Sequence, residues 1–154
     1  MNAIEERLKT LGIELPTPMK PVANYVPWVK SGNMVYISGQ GPIFNGKIQC
    51  AGKLGHSVTL EEGVAAARLT GINIIAQLRE AAEGDLSRVK RIVKLVGFVS
   101  CEPDFTDHPK VITGASDLMV EIFGDRGRHA RSAVGVASLP LDFAVEIEAV
   151  VELE

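Results

Sequence analysis

The chain is poor in several things that would fix its chemistry at once. Two cysteines, Cys50 and Cys101, in 154 residues form no Cys-x-x-Cys pair and no disulfide framework, and read as apolar, reduced thiols of a cytoplasmic protein. Three histidines, His56, His108 and His129, lie far apart, without the spacing that metal ligands require. Aromatic residues are only 5%, so there is no run of stacking platforms interleaved with cations for single-stranded nucleic acid. No apolar stretch approaches the roughly 20 residues of a membrane span. The first segment, MNAIEERLKTLG, lacks the basic start and apolar middle of a signal peptide. A net charge of −3 argues against a protein devoted to wrapping polyanions, while leaving room for a local basic patch. Gly39-Gln40-Gly41 is too short for a dinucleotide fingerprint, no Gly-x-Ser-x-Gly elbow occurs, and neither cysteine stands beside an evident base. An enzyme so equipped would act on a substrate that is already reactive, with a clamp and a proton handler in place of a strong nucleophile.

What the chain does have is an ordinary globular composition, 46% hydrophobic and 23% charged, at a length that suits one domain over residues 1–154. Residues 1–24 read as a helix, with Ile4, Leu8 and Leu11 on one stripe, followed by an extended arm imposed by Pro16, Pro18 and Pro21. From Tyr25 to Ile48 the pattern is of strands: YVPWV, then MVYIS after a turn at Ser31-Gly32-Asn33, then a hairpin marked by Asn45-Gly46. Thr59 and Glu62 have capping-box spacing, opening a helix whose apolar stripe runs through Leu60, Val64, Ala67, Gly71, Ile74, Ile75, Leu78 and Ala82. Gly71 within that stripe predicts close approach of another backbone. A strand reading RIVKLVGFVS follows. A second helix spans about His108–Phe123, with Ile112, Ala115, Met119, Ile122 and Phe123 inward, and strands over 132–138 and 144–153 end the chain. The order predicts an α+β sandwich, a mixed sheet with two long helices on one face. The other face must meet solvent or another subunit.

Two segments carry candidate chemistry. In the last strand Val145, Ile147, Ala149, Val151 and Leu153 alternate with Glu146, Glu148, Val150 and Glu152, so the carboxylates share the face away from the core. They are either a solvated face or, in one case, a carboxylate turned into a pocket with a neighbouring subunit. Arg126, Arg128, His129 and Arg131 crowd the loop before the preceding strand. They are either solvated surface charges or an anion site, since guanidinium holds a carboxylate or phosphate through two parallel hydrogen bonds.

The run HARSAVGVASLPLDFAVEIEAVVE, residues 129–152, resembles the signature of the YjgF/RidA (reactive intermediate deaminase) family, Ala-Arg-Ser-x-Val-x-Val-x-x-Leu-Pro followed by a Val/Ile-Glu-Ile-Glu-Ala strand. Upstream, Gly32-Asn33-Met34 and Ser38-Gly39-Gln40-Gly41-Pro42 are similar to the family's Gly-Asn-x…Ser-Gly-Gln-x-Pro segment, and Phe98-Val99 and Asp104-Phe105 fall in register. The Gly-Ala-Ser-Asp-Leu and Gly-Arg-His-Ala-Arg-Ser segments suggest the branch labelled an endoribonuclease or chorismate-mutase-like YjgF domain.

The resemblance implies a chorismate-mutase-like fold and a homotrimer with a cleft at each subunit interface. It implies a hydrolytic deaminase of enamines and imines, giving 2-oxo acids and ammonia with no cofactor and no metal. Arg131 would bind the substrate carboxylate and Glu146 would handle water. Tyr25, Ser38, Gly39 and Thr113 would line the cleft. Ala133 stands where the archetype often has cysteine, Gly135 where it has an acid, and Thr113 where relatives commonly have asparagine. The partners implied are a small carboxylate-bearing imine or 2-oxo acid and further copies of the chain, with neither membrane nor nucleic acid expected. Two other activities fit the same residues: an endoribonuclease acting on single-stranded RNA, with His129 as acid or base, and a non-catalytic binder that senses a 2-oxo acid.

Overall fold

In the computed structural model, which describes residues 2–18, 20 and 23–154, one five-stranded sheet carries the chain's helices on a single face. Helix α1 (Ala3–Thr10) precedes β1 (Trp28–Ser31), β2 (Met34–Gln40), the short hairpin β3 (Ile43–Phe44) and β4 (Lys47–Ile48), and the long helix α2 (Leu60–Ala81). Then come β5 (Val89–Ser100), α3 (His108–Phe123), β6 (Ala130–Val136) and β7 (Val145–Leu153). The sheet order is β1-β2-β7-β5-β6, with β5 and β6 parallel and every other pairing antiparallel. The last strand is thus central and pairs with strands from both halves of the chain. This is the expected mixed α+β sheet, and no helix among the described residues is long and apolar enough to cross a membrane.

Local chemistry accounts for the elements. Thr59 and Glu62 form the reciprocal capping box at the start of α2. Asn45 and Gly46, both at positive φ (51° and 75°), make the β3–β4 turn. Helix α3 lies close against α2 because Gly114 has no side chain: a Cβ there would overlap the Val64 carbonyl. Gly71 does the same from the other helix, where a Cβ would stand 3.0 Å from Leu118. The core fills the space between the helices and the sheet, with Ile74, Leu78, Leu95, Ile112, Leu118 and Ile147 fully buried.

Some expectations shift. The first strand begins at Trp28 and not at Tyr25, since Tyr25 and Pro27 sit in bends and Tyr25 is 57% exposed. Helix α1 stops at Thr10, which leaves Leu11 at its cap and exposed. Leu60, the first residue of α2, is likewise exposed, because the helix reaches the core only after its first turn. Strand β6 spans 130–136, two residues earlier than expected at each end. Cys101 is buried but Cys50 is only half-buried, and both thiols are free. Pro16 and Pro18 lie in irregular chain, and Pro21 falls outside the described residues.

Among the described residues, the far face of the sheet carries no helix. By alternation it holds Glu146, Glu148 and Val150 of β7, Tyr36 of β2, Val29 of β1 and Val134 of β6. Val29, Tyr36 and Val134 are each about half exposed, at 51%, 49% and 44%.

Candidate active site

Arg131 stands second on the edge strand β6, opposite Leu95 of β5. Leu95 is fully buried under the helices, so Arg131 shares the helix-side face, though its own side chain remains exposed. Its Nη1 donates to Thr113 Oγ1 at 3.3 Å and Ser116 Oγ at 3.2 Å, two hydroxyls one turn apart on α3. Thr113 in turn donates to the Pro109 carbonyl at 2.7 Å. Among the described residues Arg131 has no carboxylate partner. Since Nη1 makes both hydrogen bonds, the Nε–Nη2 edge remains open, and that fork of parallel N–H groups matches a carboxylate.

The other arginines of this loop are committed elsewhere. Arg126 donates to the Val89 carbonyl at 2.9 Å, and Arg128 pairs with Asp125 at 3.2 Å. Of the three, Arg131 alone is held by side-chain hydroxyls, whereas Arg126 is tied to a backbone carbonyl and Arg128 to a carboxylate.

Glu146 stands on the opposite face. On β7 it pairs with Phe98 of β5, one position out of phase with the buried Val145 and Ile147. Its surroundings are formed by an irregularity in β2. Between the pairs Ile37–Ala149 and Gln40–Ile147, two residues of β2, Ser38 and Gly39, face one of β7. This is a β-bulge, which bends the strand and re-aims what it carries. Gly39 then leaves room for the carboxylate: a Cβ at 39 would lie 2.8 Å from Glu146 Oε2. Ser38 donates through its hydroxyl to the Val26 carbonyl at 3.1 Å and through its N–H to the Pro27 carbonyl at 2.9 Å. Those bonds tie the Tyr25–Pro27 segment beside the bulge. Half-burial, and then the nearby Glu148, push the Glu146 carboxyl above the ordinary value of 4.5. Glu146 has no ion pair among the described residues, whereas Glu152 on the same face pairs with Lys90 at 3.4 Å.

The sequence-predicted residues thus fall into two groups. Thr113 and Arg131 meet on the helix side of β6. Ser38, Gly39 and Glu146 meet on the open side of β2 and β7, with Tyr25 tethered nearby. A single chain does not bring the groups together, because the sheet separates them. Sequence reasoning missed Ser116, and it gave His129 only as an acid or base, whereas the imidazole meets Ser116 at 2.9 Å. The available signal was spacing: Ser116 is one helical turn after Thr113, and His129 is two residues before Arg131 on an extended segment. A shallow depression of about 320 Å³ on the open face, lined in part by Tyr36, Ser38, Lys94 and Glu148, adjoins the Glu146 group. A cavity of about 750 Å³ lies elsewhere, between the chain after α1, the β3–β4 hairpin and α2. Its one cation, Arg68, is paired with Glu121 at 3.2 Å, so it offers no comparable chemistry.

Known proteins are similar to this chain over nearly its whole length. The chain is 48% identical over 151 residues to "Protein TCP17" of Trypanosoma cruzi, covering 97% of this chain and 94% of that protein. It is 30% identical over 143 residues to the 2-iminobutanoate/2-iminopropanoate deaminase of Dermatophagoides farinae, covering 92% and 95%. Among solved structures, one described as a putative endoribonuclease from Shewanella oneidensis superposes with a TM-score of 0.95 at 41% identity, over 99% of this chain and 100% of that one. The family described as YjgF/chorismate mutase-like, putative endoribonuclease, matches residues 5–153, and the chain belongs to that family.

Proposed function

We propose that this protein is a hydrolytic deaminase of reactive enamines and imines, releasing 2-oxo acids and ammonia, and that it works as a homotrimer. In this reading each cleft takes Arg131 and Thr113 from one copy and Ser38, Gly39 and Glu146 from the next, with Tyr25 at its rim. The observation that carries the reading is the pair of unpartnered charges. Arg131 keeps an open fork with no carboxylate against it, and Glu146 is half-buried with no cation. A half-buried carboxylate is costly to leave without a partner, and an exposed guanidinium held on two hydroxyls has its fork ready for an anion. The uncovered sheet face, with its half-exposed Val29, Tyr36 and Val134, offers the contact surface that would bring them together.

The chemistry needs no covalent intermediate. An enamine acid tautomerises to an imine, and a proton taken up from solvent by the imine nitrogen gives an iminium whose carbon is electrophilic. Arg131 grips the adjacent carboxylate at both oxygens and fixes the carbon's position. Glu146 as carboxylate accepts a proton from water while the water oxygen bonds to that carbon. The resulting carbinolamine takes that proton from Glu146 onto nitrogen, the C–N bond breaks as the hydroxyl proton passes to the freed Glu146 carboxylate, and ammonia leaves a carbonyl behind. A carboxyl group raised toward neutrality suits both halves of that exchange.

The sequence left an RNA-cleaving role open for His129. Both of its ring nitrogens are engaged by protein atoms, at 2.7 and 2.9 Å, which favours the deaminase reading over acid–base catalysis by this imidazole. The test is a competition in which an amino-acid oxidase generates imines, semicarbazide traps them, and the protein is added as wild type or Arg131→Ala. Suppressed trapping by wild type alone supports the reading. No suppression across small, branched and aromatic imines would overturn it.

A further inference from the structure

Behind Arg131 runs a hydrogen-bonded chain whose direction can be worked out atom by atom. His129 Nδ1 lies 2.7 Å from the Gly127 carbonyl. A carbonyl only accepts, so Nδ1 carries a proton. Burial, helped by the Arg131 charge and only partly opposed by the hydrogen bond to Gly127, holds the imidazole below its ordinary value of 6.5, so the ring is neutral at pH 7 and Nε2 is bare. Nε2 therefore accepts from the Ser116 hydroxyl at 2.9 Å. With its proton committed to the ring, Ser116 Oγ presents only lone pairs to Arg131 Nη1 at 3.2 Å. Every hydrogen bond in the series has a fixed sense, and the series ends on the guanidinium.

We propose that His129 and Ser116 are positioning residues for Arg131, the neutral imidazole fixing the Ser116 hydroxyl as an acceptor so that Nη1 is held on α3 and the Nε–Nη2 edge faces the substrate carboxylate. The proposal rests on the reading of Arg131 as a carboxylate clamp. An apolar side chain at 129 would fill the same space, yet it would leave the hydroxyl free to rotate its proton toward the guanidinium. Thr113, whose own proton goes to the Pro109 carbonyl, works the same way, so both acceptors of Nη1 have a fixed sense.

The test separates the nitrogens of the ring. A glutamine at 129 can place an oxygen near the Nε2 position, whereas an asparagine reaches only the Nδ1 position. With pyruvate as the 2-oxo-acid probe, Ser116→Ala and His129→Asn are expected to weaken inhibition about tenfold, as for one charge-assisted hydrogen bond. In turnover they should raise KM and leave kcat within about twofold, as for a group that holds substrate and transition state alike. His129→Gln should recover most of the loss, and the double variant should be no worse than either single, because both break one chain. Nitrogen-15 NMR of wild type should show the Nδ1–H tautomer of His129 at neutral pH. Wild-type binding by His129→Asn, or an Nε2–H tautomer, would overturn the proposal. If wild type neither turns over imines nor binds pyruvate, the clamp reading fails by itself. Phenylglyoxal labelling of Arg131 then still decides the positioning role, which predicts faster labelling in Ser116→Ala and His129→Asn and the wild-type rate in His129→Gln. Equal rates in all four proteins would overturn it.

Discussion

Around Arg131 the protein aims a cation that stays in water, using two hydroxyls of α3 and a neutral imidazole. Around Glu146 it does something different: a strand bulge and a missing side chain make room for a carboxylate that burial keeps reluctant to ionise. The first region is held by directional bonds and depends little on shape. The second depends on space and dielectric, with no direct partner for the carboxyl group. In the proposed reading a clamp must be ready for an anion arriving from solvent, while a proton handler must have its affinity tuned before the substrate comes. The two requirements call for different surroundings, and the two faces of one sheet supply them.

That contrast can be broken at several points. The largest effect is expected from Arg131→Ala, which removes a bidentate charge-assisted grip. In the trapping assay kcat/KM should fall by about 10²–10⁴-fold, with Tm unchanged because the side chain is exposed. Gly39→Ala should act on the other region through shape alone. The new methyl group would stand within 3.0 Å of three Glu146 side-chain atoms, and the displaced carboxylate should lower kcat by about 10–100-fold without large loss of stability. Gly114→Ala is the reverse control. Its methyl group meets the Val64 backbone in the helix layer, so it should lower stability by about 1–3 kcal/mol, read as a fall in Tm, while the surviving folded protein keeps its kcat.

Smaller effects come from pH. In the proposed mechanism Glu146 is ionised to accept the proton of water, so the acid limb of kcat/KM should lie above the ordinary value of 4.5. Glu148 is the second cause of the Glu146 shift, so Glu148→Gln should move that limb downward. A limb that stays put would mean that burial alone sets the value. Stability carries the same signature with a worked sign. A carboxyl group whose folded value is raised above 4.5 binds its proton more tightly in the folded state. Its contribution is present below that value and is lost as pH rises through the folded one. Glu146→Gln should therefore raise Tm slightly at pH 7 and leave it unchanged at pH 4, as scanning calorimetry would show.

Much of this was legible in the sequence because the signals are local. The Thr59–Glu62 box, the Asn45-Gly46 turn and the alternation of β7 each depend on residues a few positions apart, and each formed as expected. Arg131 and Glu146 were marked by their motifs, and alternation put Glu146 on the face away from the core. That Arg131 would lie on the other face was not legible, because it depends on which strands β6 and β7 pair with, a long-range outcome. The bulge at Ser38-Gly39 is a register shift against a strand more than a hundred positions later. The role of His129 was hidden for a related reason: its sequence neighbours are arginines, but its hydrogen-bond partners are a backbone carbonyl and a serine on α3. Leu11 and Leu60 fit helical stripes yet are exposed, since a stripe at a helix end runs past the edge of the core.

The claim that the two groups meet only between copies has a direct test. Arg131→Ala and Glu146→Gln, each inactive alone, are unfolded together in equal amounts, refolded and assayed for suppression of semicarbazide trapping. Random assembly leaves a cleft intact whenever a copy with Arg131 precedes a copy with Glu146, so about a quarter of wild-type activity should return. If both groups act within one copy, no mixed assembly holds an intact site. A mixture as inactive as its components, with mixed assemblies verified by mass spectrometry, would contradict the account.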